Sequence, residues 1–214
     1  MITPKVPVAL EGYPFIGFAA LSAVIASLLD YDLAGILALA CAAFFLYFFR
    51  DPERITPDDE DVIVSPADGK VIVVEKIFDD RFVNEHVYKI SIFMSIFNVH
   101  VNRVPLSGRV AAVNHEPGRF YSANTDRGGL ENEFCAVTVN TTSEVRYAVV
   151  QVAGLIARRI VCWVKKGDAV SKGHRFGLIR FGSRVDLYLP LKTQIEVSPG
   201  QKVRAGETIL GYLS

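Results

Sequence analysis

Two uncharged apolar runs stand back to back near the start of the chain, Tyr13 to Leu29 and Leu33 to Phe49, each of 17 residues and parted only by Asp30-Tyr31-Asp32. That length is at the short end for crossing a bilayer, where roughly 20 residues are needed. The connector allows only a tight reversal, so the pattern predicts a membrane-associated helical hairpin over residues 1–49, spanning or partly embedded. Both runs are apolar all round, which suits lipid better than the one-sided burial of a soluble helix. Lys5 precedes the pair, Arg50 and Arg54 follow it, and the connector holds only acids. By the positive-inside tendency both ends lie on the cytoplasmic side of the cell membrane. A signal peptide fits poorly, because the second run closes on Phe44-Phe45-Leu46-Tyr47-Phe48-Phe49, without a small-residue cleavage site.

From Arg50 the character changes. Asp51-Pro52-Glu53-Arg54 and Asp58-Asp59-Glu60-Asp61 read as a solvated linker. Short β-rich runs follow, among them Val71 to Val74, Tyr88 to Phe97, Arg109 to Val113, Val145 to Val152 and Val185 to Leu189, punctuated by Gly, Pro, Asn and Asp. They predict a mainly β (α+β) domain over residues 50–214, a sandwich or barrel, with a short helix near Ser95. Lys plus Arg and Asp plus Glu are both 23. That balance argues against a nucleic-acid partner, which calls for a basic excess. Cys41, Cys135 and Cys162 lie far apart in the chain and match no zinc or redox spacing; buried, reduced thiols are expected.

An internal repeat is plain. Gly167-x-x-Val170-x-x-Gly173-x-x-Phe176-Gly177-Leu178 is echoed 33 residues later by Gly200-x-x-Val203-x-x-Gly206-x-x-Ile209-Leu210-Gly211. The pattern resembles the lipoyl/biotinyl and hybrid-barrel folds, in which glycines make the turns and apolar residues the paired strands.

Arg180-Phe181-Gly182-Ser183-Arg184-Val185 lies between the two copies. A Gly-Ser pair before an apolar strand is by itself an ordinary turn. In order with Phe48-Phe49-Arg50-Asp51-Pro52, Ser65-Pro66-Ala67-Asp68-Gly69 and Phe97-Asn98-Val99-His100-Val101-Asn102, however, it resembles the phosphatidylserine decarboxylase family in its short form, over essentially the whole chain.

The resemblance implies a lyase that decarboxylates phosphatidylserine to phosphatidylethanolamine and is made as a proenzyme. Removing carbon dioxide from an α-amino acid leaves an electron pair beside nitrogen, which pyridoxal phosphate would ordinarily take up. The family instead makes a ketone from its own chain. Ser183 would attack the Gly182 carbonyl, the chain would part between 182 and 183, and Ser183 would become a pyruvoyl group holding the substrate amine as a Schiff base. Glycine suits position 182, having no Cβ to block the attack. The implied partners are the aminophospholipid substrate, the membrane, the processed large and small chains for one another, and a second processed unit in a homodimer.

In the family a Ser-His-Asp arrangement drives the cut. Asp68 fits the acid that orients the imidazole, and His100 is the candidate base. Asn114-His115-Glu116-Pro117-Gly118-Arg119-Phe120 resembles a loop near the family's active site and makes His115 a second acid–base candidate. Two departures stand out. Where longer members carry His-x-x-His, this chain reads His100-Val101-Asn102-Arg103. Where they follow the cut serine with Thr or Ser, it has Arg184, either a ligand for a lipid phosphate or substrate carboxylate or a solvated strand residue.

Other classes compete. A membrane-anchored, non-catalytic carrier or binding module of the lipoyl/hybrid-barrel type needs a lysine at a hairpin tip with Met or Ala beside it; Lys70, Lys165 and Lys166 lack that setting. A zinc peptidase on a similar barrel needs a histidine pair, and the four histidines have no metal-ligand spacing. An uncleaved, inactive relative is a further reading.

Overall fold

The computed structural model describes residues 7–143, 145–155, 159–180 and 182–213, with Asp126 by backbone alone. Lys5 and Phe181, both used above, lie outside them. Two compact units divide at Glu53/Arg54.

The first unit holds α1 (Tyr13–Leu28) and α2 (Asp32–Phe48). Asp30 makes the reversal in the left-handed region, at φ 58°. Small residues let the helices approach: Ala19, Ala26 and Ala42 are buried, and Gly35 backs onto Ala23 and Ala26. Phe18, Leu21, Leu28, Leu33, Ile36 and Leu39 point outward, all exposed. Together with the turn before it, α1 forms a helix Leu10–Leu28, long and apolar enough to cross a membrane; α2 is shorter.

The second unit is mainly β. Its elements are β1 (Val62–Val64), β2 (Gly69–Asp79), β3 (Glu85–Met94), β4 (Val101–Arg103), β5 (Gly108–Glu116), α3 (Asp126–Glu131), β6 (Phe134–Asn140), β7 (Arg146–Val152), β8 (Ile160–Cys162), β9 (Ala169–Val170), β10 (Arg175–Ile179), β11 (Ser183–Pro190), β12 (Gln194–Ile195), β13 (Lys202–Val203) and β14 (Ile209–Tyr212). They form an eight-stranded sheet, β13-β2-β3-β11-β7-β6-β5-β9, and two three-stranded sheets, β1-β14-β12 and β4-β10-β8.

That order is a palindrome. Exchanging β13 with β9, β2 with β5, β3 with β6 and β11 with β7 returns the same large sheet, and the small sheets exchange strand for strand. Hydrogen bonds repeat as well. Val71 N–H donates to Gln201 O and accepts, through its carbonyl, from Gly200 N–H; Val110 does the same with Asp168 and Gly167. Register shifts fall at Val71/Val73 and at Val110/Ala112. The sequence repeat is thus the visible part of a whole-domain duplication, with its approximate two-fold axis between β11 and β7.

Because alternate strand residues face opposite sides, β11 feeds two cores. Val185, Leu187 and Leu189 join the main core, and Tyr188 the smaller cluster with Val87, Ala148 and Val150.

The structure departs from expectation in three places. No helix forms near Ser95; Asn98 Oδ1 accepts from the Ser95 N–H and hydroxyl and closes a turn instead. A short helix forms elsewhere: α3 contains Gly128 and Gly129 and gave no helical signal; Thr125 caps it by accepting from Gly128 N–H at 3.1 Å. Nor is the linker simply solvated. Arg54 is largely buried in ion pairs with Asp68 and Glu207, and Thr56 packs where a side chain on Gly173 would sit.

Candidate active site

Ser183 opens β11 directly opposite Met94 of β3 and is fully buried. Gly182 before it has φ 65°, a conformation L side chains rarely adopt. The Gly182 carbonyl lies against the backbone of Gly154, just past β7. The peptide bond between 182 and 183 is therefore held at the edge of a central strand, by backbone rather than by mobile side chains.

The Ser183 hydroxyl donates to Met94 Sδ at 3.5 Å, and Asn102 Nδ2 donates to the same sulfur at 3.6 Å. Asn102 belongs to β4 in the small sheet. His100 continues that strand's pairing, its carbonyl accepting from Ile179 N–H at 3.3 Å. His100 stands two residues before Asn102, whose amide shares the Met94 sulfur with Ser183. His100 is buried, with Nδ1 2.9 Å from the Asn98 carbonyl. A carbonyl only accepts, so Nδ1 carries the proton of the neutral ring and Nε2 is the basic nitrogen.

Asp68 was expected to orient that imidazole. Its Oδ2 accepts from Arg54 Nη2 at 2.9 Å and its Oδ1 from the Ala205 N–H at 2.7 Å, while His100 Nδ1 meets the Asn98 carbonyl. His115 sits near the end of β5, three strands from β11, and pairs through Nε2 with Glu133 at 3.0 Å, about half exposed.

Arg184 is neither solvated nor turned to a lipid. It is buried, with Nε and Nη2 both bonded to Asp186 and Nη2 also 2.9 Å from Ser91 Oγ. Glycine at 129 leaves room for the guanidinium, since a Cβ there would lie 2.9 Å from Nη1. Arg103 is also buried and donates to the Gly173 carbonyl at 2.8 Å, a structural use for the position where longer relatives have histidine.

Of the cysteines, Cys135 is buried and free as expected, whereas Cys41 is exposed and Cys162 only partly buried, its thiol interacting with that of Cys135. The Cys135 thiol donates to Cys162 and holds it lowered, to about 7, while the pairing and burial push Cys135 well up. Lys70 lies within β2, opposite Phe93 and Lys202, not at a hairpin tip.

Gly154 and Met94 escaped the sequence reading, and Asn98 entered it only as one member of a motif. Met94 stands just before the Phe97–Asn102 motif and Asn98 within it, but nothing in their types announces a contact with Ser183 or His100. Gly154 becomes legible only once β7 is set beside β11.

Fold and site put the chain in a class of mainly β proteins with a Gly-Ser junction built into a central strand and an apolar helical pair ahead of the β unit. The profile of the family described as phosphatidylserine decarboxylase matches residues 41–211. A phosphatidylserine decarboxylase proenzyme of Desulfotalea psychrophila is 54% identical over 213 residues, covering 100% of both chains. Proenzymes of the same description from Citrifermentans bemidjiense and Geobacter sp. strain M21 are 51% and 50% identical, each covering 97% of both chains. This chain belongs to the phosphatidylserine decarboxylase family.

Proposed function

We propose that this protein is a self-processing, pyruvoyl-dependent phosphatidylserine decarboxylase, which releases carbon dioxide from phosphatidylserine and leaves phosphatidylethanolamine. Its full-length kinship with proenzymes of that description supports the activity. The observation that carries the chemistry is the Gly182–Ser183 junction: a left-handed glycine, a carbonyl held against Gly154, and a buried hydroxyl whose acceptor among the described residues is a thioether.

In the first step Ser183 Oγ adds to the Gly182 carbonyl carbon while His100 Nε2 takes its proton. The proton passes to the Ser183 nitrogen as the C–N bond breaks, leaving an ester. Loss of the Ser183 α-proton then breaks the Cβ–O bond and frees the Gly182 carboxylate. Water adds at the resulting double bond and ammonia leaves, so the new chain starts with a keto group. That pyruvoyl group supplies a carbonyl that captures the substrate amine and accepts the electron pair left by carbon dioxide. In this reading His100 also returns the proton to carbon. Asp68 serves the cut indirectly, by fixing Arg54 and the turn at Ala205. His115 has no part in the cut and belongs, if to any step, to turnover.

The residues fit a cut at this bond. Strand β11 stays paired to β3 and β7, β13 to β2, and β14 to β1, so residues 183–214 remain bound without a covalent link. We further read α1 and α2 as the membrane anchor, with the β unit on the cytoplasmic side. Arg50 after α2 and the acidic connector support that orientation. The β unit is read as a barrel of the lipoyl/hybrid type, and the processed protein as a homodimer, as the resemblance implies.

Intact-mass analysis tests the reading. Wild type should give chains 1–182 and 183–214, the smaller resistant to Edman degradation; Ser183→Ala should give one chain and no carbon dioxide from serine-labelled lipid. A single wild-type chain with a normal N-terminus sinks the proposal.

A further inference from the structure

Ser183 and Met94 are tied to two buried amides that the chemistry above does not use. Asn102 Nδ2 donates to Met94 Sδ, and Asn102 Oδ1 accepts from Gln151 Nε2 at 2.8 Å. Both amide residues are fully buried. The line Gln151, Asn102, Met94, Ser183 leaves the large sheet at β7, crosses to β4 in a small sheet, and returns to the large sheet at β3 and β11. Room is made for it: a Cβ on Gly177, the cross-strand neighbour of Asn102, would lie 2.9 Å from Gln151 Nε2.

Burying two amides is costly unless every polar atom is paired, and Gln151 Oε1 has no hydrogen-bond partner among the described residues. An apolar pair of the same shape would make the better core, so stability does not account for the arrangement. Position does. Methionine is unbranched and finds several rotamers at little cost, and the amide bond to its sulfur selects one. The selected sulfur is a weak acceptor, so it aims the serine hydroxyl without holding its proton against a base.

We propose that Asn102 and Gln151 are positioning residues for self-cleavage, which hold the Met94 sulfur and, through it, set the Ser183 hydroxyl for attack on Gly182. This inference rests on the self-processing reading above.

The test follows cleavage of the full-length chain, made by cell-free synthesis in detergent, on gels from the moment of synthesis. Parallel samples contain hydroxylamine, which cuts an ester and so reports ester formation. Met94→Leu and Asn102→Leu should each slow the cut about tenfold, the scale of one lost hydrogen bond, with and without hydroxylamine. Added to Met94→Leu, Asn102→Leu should cost less than about twofold more, because its effect runs through the sulfur. Gln151→Met should behave as Asn102→Leu does, and it carries the test if Asn102→Leu fails to give a normal melting transition. The inference is overturned if the folded amide variants cleave at the wild-type rate, if Asn102→Leu slows the cut equally with and without the Met94 sulfur, or if hydroxylamine restores the rate. A wild-type chain that never cleaves overturns the self-processing reading itself; wild-type cleavage with indifferent variants overturns this inference alone.

Discussion

Gly154 and Gly182 touch backbone to backbone: a Cβ on Gly154 would lie 2.0 Å from the Gly182 carbonyl oxygen and 2.9 Å from its carbon. The contact sets the plane of the carbonyl that Ser183 attacks in the proposed cut. Gly154→Ala must push that carbonyl aside by an ångström or more, and misplacement on that scale costs about a hundredfold in rate. The expected outcome is a folded, largely uncut chain, read by gel and melting curve. Cleavage at the wild-type rate would show that the carbonyl does not need this wall.

Asp68 and Arg54 separate two roles for the acid. With both oxygens engaged by Arg54 and the Ala205 N–H, Asp68→Asn should lower stability by about 2–3 kcal/mol, the loss expected for a largely buried, hydrogen-bonded pair. Arg54→Met should impair cleavage to a similar degree. If Asp68 orients His100 directly, Asp68→Asn will slow the cut strongly and Arg54→Met will leave it alone.

Arg184 and Asp186 form a buried bidentate pair beside the Gly182–Ser183 junction. Asp186→Ala strands a buried guanidinium and should cost roughly 3–5 kcal/mol, whereas Arg184→Met with Asp186→Leu should come out near neutral. Melting of these variants in the uncut Ser183→Ala chain keeps unfolding unimolecular and measures both.

Cys162 should titrate early. Its pKa is lowered from 9.0 to about 7 by the Cys135 thiol donating to it, and the thiolate is the reactive form. Iodoacetamide labelling at Cys162 should therefore rise through pH 7 rather than pH 9, with Cys135, pushed the other way, unlabelled in the folded protein. Peptide mass mapping across pH 6 to 9 reads both sites.

How far the sequence carried this result depends on where each constraint lives. The two N-terminal helices were legible because an absence of charge over two helix lengths, broken only at Asp30-Tyr31-Asp32, leaves a compositional mark. The repeat at Gly167 and Gly200 was legible because positive φ demands glycine, and both have it, at 93° and 99°. Its other half was not: Val71 and Val110 are equivalent through hydrogen bonds and bulges that many side chains tolerate. Ser183 and His100 stood out only as members of an ordered motif set. Asn102 and Gln151 left a fainter signal, single amides among strand residues otherwise read as apolar, and Gly154 left none. The contacts that give these residues meaning join β7, β4 and β11, distant in sequence, and short-range patterns do not report them.

The place of β11 at the middle of the large sheet, between β3 and β7, would make the proposed cut between 182 and 183 a one-way event in folding. Before it, closing the sheet is an intramolecular search whose loop-closure cost grows only slowly with chain length. Afterwards, a molecule that unfolds sheds a free 32-residue strand-bearing peptide, and regaining the sheet becomes a bimolecular encounter that dilution defeats. The processed protein then endures through the height of its unfolding barrier rather than through reversible equilibrium. Ordinary heat-and-cool cycling should return the uncut form and lose the cut one.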